Sequence, residues 1–210
     1  MLPAQIHNKM QSCILQARSP PPRRRRRGAE LQAALLDAAW EELMERGYAG
    51  LTFAAVADGA GTSRPVVNRH WATKAMLVRD AIGHASDKFP LTDPDTGSLR
   101  DDTIGLLEQL NGAFTVFAVA MTAQLAAYFE EMGTTPAELR ASLIDERWEL
   151  IESVAQRAVE RGEIDGSKLT PRITRLPFDL LRHEVLMDLA PMSAHAIQEI
   201  VDTIFIPLLT

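Results

Sequence analysis

Residues Gly61 to Lys74 read GTSRPVVNRHWATK. They carry Arg64, Arg69, His70 and Lys74 and no aspartate or glutamate, within a chain of 210 residues whose formal net charge is −6. The segment opens on a Gly-Thr-Ser turn. Ser63 is an N-cap residue, and Pro65 fits a first helical turn, where backbone N–H groups lack partners anyway. Trp71-Ala72-Thr73 closes this short helix. Thr73 caps the next one, which the pattern carries to about Lys88 before Pro90 stops it.

The residues upstream supply two more helices. Leu36, Trp40, Leu43 and Met44 repeat at i, i+4, i+7 and i+8, and Gly47 after Arg46 is a C-terminal stop. Thr52 caps a second, short helix with Phe53, Val56 and Ala57 inward, and Ala60-Gly61-Thr62 breaks it. Two short helices joined by a glycine-containing turn, behind a longer bracing helix, form a helix-turn-helix unit. In such a unit the second short helix enters the major groove with its N-terminal residues nearest the bases. An acid-free helix is what that contact requires, because a carboxylate would be repelled by phosphate.

Charge is distributed to match. Residues 1–90 carry 13 Lys/Arg against 8 Asp/Glu, a net of +5, whereas residues 91–210 carry 9 against 20, a net of −11. The acidic total thus conceals a basic N-terminal third, which points to a polyanionic partner. Residues 1–27 read as a flexible basic arm. Pro20-Pro21-Pro22 is a stiff extended spacer, and Arg23, Arg24, Arg25, Arg26 and Arg27 follow it. A signal peptide would need an apolar run next, but Glu30 and Asp37 interrupt. The arm is a solvated tail or a strand attracted to phosphate and the minor groove, and both can hold.

Hydrophobic residues make up 46% and charged residues 24%, enough for a sizeable core. Cys13 is the lone cysteine, which excludes an internal disulfide or a cysteine-rich metal site and suits a cytoplasmic chain.

Leu35 to Val78 resembles the N-terminal domain of the TetR family of bacterial transcriptional regulators. The resemblance rests on the alanine-rich first helix, Gly47-Tyr48, Leu51-Thr52, Ala60-Gly61 and the closing His70-Trp71-Ala72-Thr73-Lys74. It implies an all-α fold: a three-helix DNA-binding domain over residues 28–89, with the helix-turn-helix at 52–71, and a helical effector-binding and dimerisation domain over 90–210. It also implies base contacts from Arg64, Pro65 and Val66, with Thr52, Ser63, Asn68, Arg69, His70, Thr73 and Lys74 at phosphate or neighbouring base positions. Asn68 stands where the family usually has tyrosine, and Trp71 where phenylalanine is commoner. Trp71 keeps the packing role, and the shorter Asn68 amide could reach phosphate or adenine.

The remaining residues are helical by pattern. Ser98 caps a helix with Asp101 at the capping-box position. Gln109 to Phe129 is uncharged, but its Gln, Asn and Thr residues argue for a buried central helix interrupted at Gly112 rather than a membrane span. Thr135-Pro136-Ala137-Glu138 is a capping box opening a helix to Arg161, with Leu143, Ile144, Trp148, Ile151 and Val154 inward. Thr170-Pro171 and Ser193 open the last two helices, the former kinked at Pro177. The resemblance implies that these form a four-helix dimer seam, built from Phe178, Val185, Ile197, Ile200, Val201, Ile204 and Phe205. It also implies a small-molecule pocket, for which Phe114, Phe117, Met121, Tyr128, Trp148 and Ile151 are candidates. Their apolar character suggests a lipophilic or aromatic effector.

No nucleophile elbow, P-loop or dinucleotide fingerprint occurs, so an enzyme is not expected. His183, Glu184, Asp188 and His195 do not form a metal set, because the His-Glu pair points to different helix faces. Neither metal nor cofactor is expected. The reading is a ligand-responsive repressor that binds a palindromic operator as a homodimer. The alternative is a ligand-binding helical protein of the same fold without operator binding, which Asn68 favours.

Overall fold

A computed structural model describes residues 28–120 and 124–210, with side chains described except at 116, 118, 119, 140 and 142–147. The expected burial of Leu143 and Ile144, the arm Arg23 to Arg27, and Met121 lie outside the described residues. Regular structure within the described residues is helical: α1 (Ala29–Gly50), α2 (Phe53–Gly59), α3 (Arg64–His70), α4 (Lys74–Ser86), α5 (Leu99–Val119), α6 (Ala126–Met132), α7 (Pro136–Glu160) and α8 (Pro171–Asp188). A last segment, α9, joins Ala194–Glu199 to Ile206–Leu209 through a π-helical stretch, Ile200–Phe205.

Side chains set the helix starts. Thr52, Thr73, Thr170 and Ser193 each accept a hydrogen bond from the backbone N–H three residues on, and Thr135 and Glu138 form the reciprocal capping box. Gly47 turns the end of α1 with φ 69° and ψ 174°, a region that glycine alone occupies readily.

Two apolar cores result. The first gathers Leu35, Leu43, Tyr48, Val56, Val67, Trp71, Leu77 and Ile82 from α1 to α4, with Leu125, Tyr128 and Leu139 joining from the far part of the chain. The second is formed by α5, α7, α8 and α9 around Leu107, Ile151, Phe178, Leu181, Val185 and Val201. The connector from α4 to α5 is fastened to α7. Arg157 grips Asp93 with two hydrogen bonds of 2.6 and 2.8 Å, and the fully buried Asp102 accepts from the Thr96 N–H and hydroxyl at 2.6 and 2.7 Å.

One expectation is corrected. α5 runs through Gly112 and ends at Val119. A glycine costs a helix about 1 kcal/mol relative to alanine, which the packing of Leu106, Leu107, Leu110 and Ala113 outweighs. Of the expected dimer-seam residues, Phe178, Val185, Ile197, Ile200, Val201 and Phe205 are buried within the single chain, and only Ile204 is exposed. Phe178, Val185, Ile197, Val201 and Phe205 belong to the second core of this chain. α8 holds Pro177 in its interior, where the proline gives the helix no N–H.

A Cβ at Gly47 would sit 2.8 Å from Gln124 Oε1, and its φ is positive. Gly47→Ala should therefore lower stability by roughly 1–3 kcal/mol, read as a lower urea midpoint at unchanged slope. An unchanged midpoint would show that the turn relaxes.

Candidate nucleic-acid interface

α3 has two faces with different chemistry. Val67 is fully buried and Trp71 is 2% exposed, and both belong to the core with α1 and α4. The Trp71 indole N–H donates to Asp80 Oδ2 of α4 at 2.9 Å, so the helix is anchored by a directional bond as well as by packing. The opposite face is exposed and consists of Ser63, Arg64, Pro65, Asn68, Arg69 and His70, while Val66 is half-buried. Among the described residues neither Arg64 nor Arg69 is held in a salt bridge. The turn that aims this face depends on Gly61, at φ 66°, with the Thr62 N–H donating back to the Ala57 carbonyl at 2.8 Å.

The flanking hydroxyls are exposed. Thr52 accepts from the Ala55 N–H and Thr73 from the Met76 N–H, both at 3.2 Å, which uses oxygen lone pairs and leaves each O–H to donate outward. Ser63 occupies the N-cap of α3 without a side-chain capping bond. The His70 ring lies 5.3 Å from that of Trp71 at the end of the face.

Lys74, at the start of α4, contacts the last turn of α1. Its ammonium donates to the Tyr48 carbonyl at 2.8 Å and lies 4.1 Å from the centroid of the Tyr48 ring. Sequence reasoning missed this contact because 26 residues separate the partners. Burial pushes the Tyr48 phenol well above its usual range. Nearer the start of α1, Lys88, and then His84, at the α4 end hold the Asp37 carboxyl below its usual range.

The expected pocket residues that are described fall in two core clusters. Phe117 and Tyr128 belong with the first core, against Trp40 and Tyr48 respectively. Phe114, Trp148 and Ile151 belong with the second. There the Arg175 and Arg182 guanidiniums of α8 stand over the Trp148 and Phe114 rings at 5.0 and 5.2 Å.

The family model described as bacterial regulatory proteins, tetR family, matches residues 35–81, and that of the tetracyclin repressor-like C-terminal domain matches residues 93–204. The chain belongs to the TetR family of bacterial transcriptional regulators. Members of this family bind DNA and are not enzymes. An HTH-type transcriptional regulator of Mycobacterium tuberculosis is 32% identical over 171 residues, covering 80% of this chain and 82% of the relative. A DNA-binding transcriptional repressor TetR of Mycobacteroides abscessus is 27% identical over 183 residues, covering 87% and 96%. Among solved structures, the fatty acid degradation regulator FadR from Bacillus halodurans superposes with a TM-score of 0.62 at 14% identity, over 88% of this chain and 97% of that one, which shows the shared fold. Among the described residues no helix is long and apolar enough to cross a membrane.

Trp71→Phe keeps the ring and removes the bond to Asp80, which still has Arg79 beside it. A hydrogen bond to a charged group is worth about 1.5–3 kcal/mol. Asp80 is partly solvated, so the loss should fall at the lower end, measured by urea unfolding. No loss would show that packing alone fixes α3.

Proposed function

We propose that this regulator is a ligand-responsive repressor that binds a palindromic operator as a homodimer. The observation that carries the reading is the exposed, acid-free face of α3, rigidly backed by Val67 and Trp71. Arg64, Pro65 and Val66 read base edges. Thr52, Ser63, Asn68, Arg69, His70 and Thr73 hold phosphate or adjacent bases, and Arg23 to Arg27 add phosphate neutralisation in the minor groove.

A palindrome needs two reading heads about 34–36 Å apart, or a multiple. The exposed apolar side chains of the last two helices, Met187, Leu189, Ile204 and Leu208, are the seam that pairs them. A lipophilic or aromatic effector lodges beside Phe114 and Trp148. It acts through α5, where Phe117, three residues on from Phe114, touches Trp40 of α1 and Phe89 beyond α4. A small displacement there changes the separation of the heads, so the dimer loses simultaneous docking.

Selection of bound sites with wild type and Arg64→Ala at one salt concentration tests base reading. The variant should lose roughly 1–3 kcal/mol per half-site and relax preference at one base position. An intact motif and affinity in the variant would remove Arg64 from the readout.

Ile204→Glu with Leu208→Glu places charge on the exposed seam without disturbing either core. Light scattering should report folded monomers. Dimers of wild-type mass would place the seam elsewhere.

A further inference from the structure

We propose that Arg69, in the second turn of α3, reads a guanine edge and is a second specificity-determining residue of the helix, rather than a holder of phosphate. The inference rests on the reading that α3 meets duplex DNA.

What α3 buries fixes which of its sides stands furthest from the protein. Val67 is fully buried, and Trp71, the C-cap, is 2% exposed. Successive residues of an α-helix turn by about 100°. Counted from the direction midway between Val67 and Trp71, Arg69 stands about 180° round the axis and Pro65 about 140°, with Asn68 and His70 at roughly 80°. Val66 borders the outer side but is half-buried and packed against the first core. Pro65 and Arg69, both exposed, therefore form the outermost line of the helix. Proline has no side-chain donor or acceptor, so on that line only Arg69 can form a hydrogen bond with a base.

A major groove about 12 Å wide is filled by a helix that measures about 10–12 Å across with its side chains. Such a helix turns its flanks to the phosphate rims and its outermost line to the base edges. Asn68 and His70 then face the rims, and Arg69 faces the floor. The N-terminal residues of a recognition helix stand nearest the bases. Arg69 starts about 7.5 Å further along the axis than Arg64, a distance that only a long side chain covers. Its guanidinium carries five N–H donors in a fixed fork, which matches O6 and N7 of guanine. Arg69 is also free to enter the groove. Arg79 of α4 is tied to Asp80 at 3.1 Å, whereas among the described residues no carboxylate holds Arg69 in a salt bridge. No ion pair has to break for it to reach a base.

Binding-site selection with the full-length wild type, then titration of the selected duplex and a scrambled one at fixed salt, tests this. Arg69→Ala should lose roughly 5–150-fold in affinity per half-site on the selected duplex, and clearly less on the scrambled one. Arg69→Lys keeps the charge but not the fork. It should fail on the selected duplex as the alanine variant does, yet hold the scrambled one as wild type does. The guanines of the selected site are also replaced one at a time by 7-deazaguanine, which lacks N7. One replacement per half-site should weaken wild type and leave Arg69→Ala indifferent, at a different guanine from the one to which Arg64→Ala is indifferent. Both Arg69 variants should keep wild-type helicity, because the side chain is exposed. Equal losses on the two duplexes in Arg69→Ala, or wild-type affinity of Arg69→Lys for the selected duplex, would assign Arg69 to phosphate and overturn the inference. So would sensitivity of Arg69→Ala to every replacement that weakens wild type. If wild type selects no motif, the DNA-binding reading itself fails, whereas a motif that Arg69→Ala reads unchanged defeats this inference alone.

Discussion

The packing of Val67 and Trp71 beneath α3 is the constraint on which the rest depends. A seven-residue helix is unstable alone, since nucleation costs more than so few hydrogen bonds return. α3 exists because these two side chains are buried among α1 and α4 and because the Trp71 indole is tied to Asp80. Fully burying an aliphatic side chain is worth about 1.5–3 kcal/mol, enough to order two turns whose other face is exposed. That division leaves the outer face free to be chosen for charge alone. An element held rigidly from below pays little ordering cost when its upper surface meets a ligand.

The second consequence is that the DNA-binding domain is not an isolated bead. Leu125, Tyr128 and Leu139, from the far half of the chain, are members of its core. The connector between α4 and α5 is pinned to α7 through Arg157 and Asp93. Packed cores resist gradual deformation and tend to switch between discrete arrangements. A perturbation on α5 or α6 is therefore transmitted to α1 and α4 rather than absorbed. The charged contacts at the surface, such as Asp37 with Lys88 and His84, are too solvated to dominate this coupling.

What was legible in the sequence was local. Threonines 52, 73 and 135 announced helix starts, and Gly47 and Gly61 announced turns, because caps and positive-φ positions are set by a few adjacent residues. The acid-free face of α3 was legible for the same reason. Tertiary partners were not. An apolar residue on α8 or α9 declares that it will be buried, not whether its own chain or a second copy buries it, and six of the expected seam residues are buried within the single chain. The charge of Lys74 is visible in the sequence, and the Tyr48 carbonyl that accepts from it, 26 residues away, is not. Gly112 signalled a break that neighbouring leucines prevent. The pocket candidates shared helical spacing along one chain yet divide between two cores, a separation that spacing cannot encode.

The central claim is that the outer face of α3 is where this regulator meets DNA. Amide hydrogen exchange on the full-length protein, free and saturated with a duplex selected for tight binding, tests it most directly. Slowed exchange should concentrate in Ser63–His70 and at the start of α2 beside Thr52, with α8 and α9 unchanged. Slowing confined to α8 and α9, or none anywhere in residues 52–74 of a protein that holds the duplex, would contradict the account.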